Sequence, residues 1–151
     1  MTGIPTRKRL LLSEVTELKK CYACFCNNTI DTEFCEDIYQ TFTAKRGNLH
    51  IQAGRFLELK ETLPSSNATT EMATTTTYGQ FLSVFSHTYK GKDVVWIYCK
   101  IFLNVKKVPI ERIHIGNSNL YFETFFPPDI DAKMIHAVQN DNMYYLMIGY
   151  S

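Results

Sequence analysis

Asp93-Val94-Val95-Trp96-Ile97-Tyr98-Cys99-Lys100-Ile101-Phe102-Leu103 decides how this chain folds. Within Val94–Leu103 only Lys100 interrupts an apolar run. The run is too short to span a bilayer and too rich in β-branched and aromatic residues for a stable helix. It reads as a central strand covered on both faces. Lys90-Gly91-Lys92 turns the chain into it and Asn104–Pro109 turns it out, so the flanking segments must supply the cover.

Immediately upstream, Tyr78–Tyr89 fits either a helix or a buried strand. The Lys-Gly turn after it favours a β-hairpin. Before that, residues 61–77 hold Pro64 and a run of threonines with few apolar residues, and they read as a flexible loop. Leu49–Lys60 alternates with period two and is a half-buried strand, broken at Gly54. Downstream, Ile110–Ile115, Leu120–Phe126 and Met143–Ile148 read as strands. Asp129–Gln139 reads as a short helix capped at Asp129.

At the N-terminus, residues 1–9 form a basic tail carrying Arg7-Lys8-Arg9. Ser13 is placed as an N-cap, and Val15, Leu18, Tyr22 and Phe25 recur at helical spacing. Ile30, Phe34, Ile38 and Phe42 recur every four residues, which predicts a second helix ended by Gly47. Residues 13–46 are thus expected to form a helical hairpin. The expected fold is α+β: one domain over residues 1–151, the hairpin packed on a β-rich core (49–151) built as an antiparallel sandwich or barrel of about six or seven strands.

The composition narrows the function classes. Apolar residues are 45% and aromatics 13% of the 151 residues, as in a globular chain. Lys+Arg is 16 against 15 Asp+Glu, so overall charge gives no case for nucleic-acid or membrane binding. Five cysteines cannot all pair within the chain, and Met1–Arg9 lacks the features of a secretory signal. The expectation is an intracellular protein, cytoplasmic or nuclear, with reduced thiols. Cys21, Cys24, Cys26 and Cys35 are dense enough to consider zinc, but the usual second ligand pair is missing. They read as small apolar residues on packed helices, and no metal or cofactor is expected. His50, His87, His114 and His136 are scattered, and no nucleophile elbow, P-loop or dinucleotide motif occurs. An enzyme is not expected.

The segment Ser118–Ile148 resembles the end of the small heat-shock protein (α-crystallin) domain and the related CS co-chaperone domain. Phe126-Pro127 stands where that family has Leu-Pro. Ile130-Asp131, Ile135 and Ala137 fall at its V-D-x-x-x-I-x-A spacing, and Asp141-Asn142 at its hairpin turn. Asn142 and Tyr144 replace the family's usual glycine and leucine. The resemblance implies an antiparallel β-sandwich that works by holding other proteins.

The expected function is a non-enzymatic protein-interaction module, an adaptor or co-chaperone-like subunit that binds another chain or a second copy. The contact is expected at a sheet edge formed by Met143, Tyr144, Tyr145, Leu146, Met147 and Ile148, with the helix face of Phe34, Ile38 and Phe42 beside it. The alternative is an OB-like binder of single-stranded nucleic acid. There Tyr121 and Phe122 would stack bases, while Lys100, Lys106, Lys107 and Arg112 track the backbone.

Overall fold

Lys90 and Gly91 both have positive φ, 52° and 76°. That pair of left-handed residues gives the twist that closes a two-residue hairpin. In the computed structural model it joins two long strands, Met72–Tyr89 and Lys92–Phe102, as the Lys-Gly turn predicts. The described residues are 4–25, 34–46, 49–64, 72–108 and 113–148.

In chain order the elements are β1 (Thr6–Arg9), α1 (Leu12–Phe25), β2 (Asp37–Thr41), β3 (Thr43–Arg46), β4 (Leu49–Gln52), β5 (Phe56–Pro64), β6 (Met72–Tyr89), β7 (Lys92–Phe102), β8 (Lys106–Lys107), β9 (Ile113–Asn117), β10 (Tyr121–Phe126), β11 (Asp131–Asn140) and β12 (Met143–Met147). A ten-stranded sheet runs β1-β2-β6-β5-β11-β12-β9-β8, with β7 beside β6 and β10 beside β7; β3 and β4 form a separate pair. The chain packs as two compact units. The first holds residues 1–54, 81–100 and 123–128, and the second holds 55–80, 101–122 and 129–151.

The first unit is built around α1. Glu14, Val15, Leu18, Cys21 and Tyr22 are its buried face, at the spacing of one helical stripe. They pack with Ile38, Phe85, Trp96, Tyr98 and Phe125. Ser13 lies inside the helix and does not cap it. The Glu14 carboxylate does, accepting the Leu11 N–H at 2.8 Å and the Lys8 ammonium at 2.8 Å.

Several expectations need correction. Among the described residues the helical hairpin expected over 13–46 reduces to one helix, Leu12–Phe25, and residues 26–33 lie outside them. Asp37–Thr41 and Thr43–Arg46 are strands, and Ile30 lies outside the described residues. The physical reason is that a spacing of four suits both a 3.6-residue period and a period of two. The sheet has ten strands, above the expected six or seven. Residues 6–9 of the basic tail form β1, and their cations are matched by acids: Arg7 to Asp37, Lys8 to Glu14 and Arg9 to Glu36, each at 2.8 Å. The flexible loop expected over 61–77 is overturned at both of its ends, and its residues 65–71 lie outside the described residues. Glu61–Pro64 continues β5 and Met72–Thr77 begins β6, paired from Glu61↔Thr75 to Pro64↔Met72. Threonine is polar but β-branched, and here its strand preference wins over its low hydrophobicity. Asp131–Asn140 is a strand, not a helix, because β5 and β12 pair with it on either side.

The second unit has its own core. Phe102, Ile135, Tyr144 and Leu146 are buried, with Phe56, Tyr78 and Ala137 packed against them. The Phe102 and Tyr144 rings lie 4.2 Å apart, and Phe56 stacks on Phe102 at 5.8 Å.

Candidate functional site

β12 is paired on both sides, by β11 and by β9, so it is not the sheet edge expected from its terminal place in the chain. Strand order is set by which strands pair, and position along the chain does not determine it. The period of two then divides this wholly apolar strand. Tyr144 and Leu146 face the core and are fully buried. Met143, Tyr145 and Met147 face the other way.

Three rows cross that outer face. Val138 pairs with Tyr145, which pairs with Ile115, which pairs with Lys106. His136, Met147 and Ile113 form the row on one side, and Asn140, Met143 and Asn117 the row on the other. Val138 is 50% exposed, Met143 and Tyr145 36% each, while Ile113, Ile115 and Met147 are half-buried. The outcome is a continuous apolar patch with Lys106 and His136 on its margin and no acid in its rows. Three strands and five residues span roughly 10 Å by 14 Å. That area accepts one helix about 10 Å wide, or a pair of strands.

Gly116 holds the inner face in register. It is the cross-strand partner of Tyr144, whose ring lies directly over it. A Cβ at 116 would fall 2.1 Å from the Tyr144 hydroxyl oxygen. Burial pushes the Tyr144 phenol up to about 12.

The remaining expected interface residues lie in the first unit. Ile38 is buried, Phe34 is half-buried against Tyr22 and His87, and Phe42 is exposed. The nucleic-acid residues divide likewise. Lys106, Lys107, Tyr121 and Phe122 are exposed in the second unit, Lys100 is half-buried in the first, and Arg112 lies outside the described residues. Trp96, Tyr98 and Phe102, which would complete a stacking platform, are buried.

The thiols are dispersed by their environments. Cys21 is buried, donates to the Phe125 carbonyl at 3.5 Å, and lies 3.5 Å from the Thr124 hydroxyl. Burial raises its pKa, and burial pushes Cys99 up to about 12. Cys24 and Cys35 are exposed, and Cys26 lies outside the described residues. Among the described residues no three His, Cys, Asp or Glu side chains are grouped to hold a metal ion, and no helix is long and apolar enough to cross a membrane.

His87 is a satisfied core histidine. Its Nδ1 accepts from the Tyr22 hydroxyl at 2.7 Å and its Nε2–H donates to the Cys35 carbonyl at 2.8 Å. Burial lowers its pKa, and the Cys35 carbonyl offsets this only in part. The unfolded chain therefore takes up a proton here as pH falls through about 6.5, while the folded chain does not until lower pH. Stability is full above that pH and declines below it. Urea midpoints should drop between about pH 7 and pH 5, and His87→Gln should flatten that part of the profile. A flat wild-type profile would contradict the buried neutral ring. Glu14 acts in a lower window. Burial raises its pKa, but the Lys8 ammonium and Leu11 N–H outweigh this and hold it below the usual carboxylate range.

No protein-family model, characterised protein or solved structure matched this chain when each was searched.

Proposed function

We propose that this chain is a non-enzymatic protein-interaction module, an adaptor or co-chaperone-like subunit that holds a partner chain on the outer face of β11, β12 and β9. One observation carries the reading: β12 is apolar on both faces, and only one face is used by the core. An apolar sheet face left open to water favours a partner that covers it. The fitting partner presents an apolar helix face or strand pair, and the contact depends little on salt.

The test compares capture from native extract by the tagged wild-type chain and by Tyr145→Lys. Tyr145 is partly exposed, so the variant should fold with an unchanged circular dichroism spectrum. A chain retained by wild type should fall at least about tenfold with the variant, equivalent to about 1.4 kcal/mol. Identical captured sets would remove this face from the account. Leu146→Lys is no substitute, because Leu146 is fully buried and a charge there unfolds the second unit.

The second reading, single-stranded nucleic-acid binding, is supported by the exposed Tyr121, Phe122, Lys106 and Lys107. It requires oligonucleotide binding that weakens steeply with salt.

A further inference from the structure

Three of the chain's five methionines stand at 134, 143 and 147. The register brings two of them to a histidine. Met147 is the direct cross-strand partner of His136. Met134 precedes His136 by two residues on β11, so its side chain leaves the strand on the same face. Between them, Ile135 points the other way and is buried in the core of the second unit. Thioether sulfur stands outside the His, Cys, Asp and Glu donors that fail to group around a metal ion.

The spacing suits a shared ligand. Cross-strand partners hold their Cβ atoms about 4.5–5.5 Å apart, and diagonal neighbours about 7–8 Å. Each methionine has three rotatable bonds, so both sulfurs can swing toward the imidazole without moving the backbone. Met134 and Met147 are half-buried and His136 is exposed.

The donors decide which ion fits. One imidazole nitrogen and two thioether sulfurs are all neutral. Zinc sites draw on thiolate, imidazole and carboxylate, and calcium and magnesium take oxygen. Thioether sulfur selects Cu(I). Charge points the same way. A monovalent ion on neutral ligands leaves a single positive charge, and the rows of this face hold no acid to neutralise a second. His136 keeps one side of the site open to water, so the ion is only partly desolvated. Lys106, the cation of the same face, lies on β8, three strand spacings or about 14 Å from β11, where its repulsion is largely screened.

We propose that Met134, His136 and Met147 hold one Cu(I) ion at the margin of the β12 face, through the two thioether sulfurs and one imidazole nitrogen. The site needs no partner chain, so it stands apart from the protein-interaction reading.

The test uses the full chain with Cys24, Cys26 and Cys35 changed to serine, so that exposed thiols do not compete for the ion. Its methionine methyl groups are labelled with carbon-13, and Ag(I), a soft monovalent ion that keeps its oxidation state, is titrated in. Cu(I) affinity is then measured without oxygen, in competition with a chromophoric chelator. The methyl signals of Met134 and Met147 should shift and saturate at one Ag(I) per chain, while those of Met1, Met72 and Met143 hold still. Met147→Leu and His136→Gln should each weaken Cu(I) binding at least about tenfold, as the loss of even an outer-shell partner does. Met143→Leu should leave it unchanged. If Met147→Leu loses its native circular dichroism, Met134→Leu takes its place. A titration without a saturable shift overturns the site and leaves the partner-binding role of the β12 face standing. Shifts shared equally by all the methionines, or a Cu(I) affinity that the ligand variants do not lower, place the ion elsewhere and overturn it too. Displacement of Ag(I) by an equal concentration of Zn(II) contradicts the soft donor set.

Discussion

Trp96→Ala is expected to lower stability by about 3–5 kcal/mol, the usual range for deleting a large buried aromatic. Trp96 is 1% exposed and sits edge-on to Tyr22 at 5.0 Å and to Phe25 at 6.2 Å. Those rings come from α1, so the deletion removes the contact that holds the helix on the strands of its own unit. Truncation leaves a cavity with a rigid aromatic wall, and such walls collapse poorly. Urea unfolding reads the loss. As the only tryptophan, Trp96 also reports on itself: its emission should be blue-shifted and poorly quenched by iodide. A near-neutral variant, or ready quenching in the wild type, would put the indole on the surface.

Gly116→Ala is expected to damage the second unit more than one methyl group ordinarily does. The added Cβ would lie 2.1 Å from the hydroxyl oxygen of Tyr144 and 2.3 Å from the ring carbon bearing it. Tyr144 is fully buried and packed against Phe102 and Phe56, so it has nowhere to rotate. Overpacking of this kind costs about 1–3 kcal/mol and can cost more where the neighbour is fixed. The coupling is diagnostic: Tyr144→Leu should destabilise the wild type and hurt the Gly116→Ala chain far less. Additive effects would mean that the ring does not cross Gly116.

What the sequence made legible was local. The Lys-Gly turn, with a long apolar strand after it, announced the β6–β7 hairpin. Gly54, with φ of 94°, broke Leu49–Lys60 where the alternation suggested. The errors also have local causes. Ile38 fits the helical spacing of Phe34 and Phe42, yet a spacing of four also fits a period of two, and Ile38 lies in β2. The threonines of 74–77 looked like loop by polarity and act as strand by shape. Of the candidate site, the sequence shows the strand but not its two faces. Met143–Ile148 is legible as an apolar strand, but its inner and outer residues cannot be separated by hydropathy, since both kinds are apolar. Val138, Ile113 and Ile115 were missed as members of the patch. Their membership depends on β11 and β9 flanking β12, a pairing between distant segments that no local pattern encodes.

Cysteine scanning along β12 tests the central claim most directly. Single cysteines at 143 to 147, in a chain with Cys24, Cys26 and Cys35 changed to serine, are labelled with a polar maleimide in the native state, with and without a chain captured from extract. The account requires fast labelling at 143, 145 and 147, slow labelling at 144 and 146, and protection of the fast positions when the captured chain is bound. Equal labelling at all five positions would contradict the division of β12 into a core face and an open face. Fast odd positions that stay unprotected in the complex would contradict the function built on it.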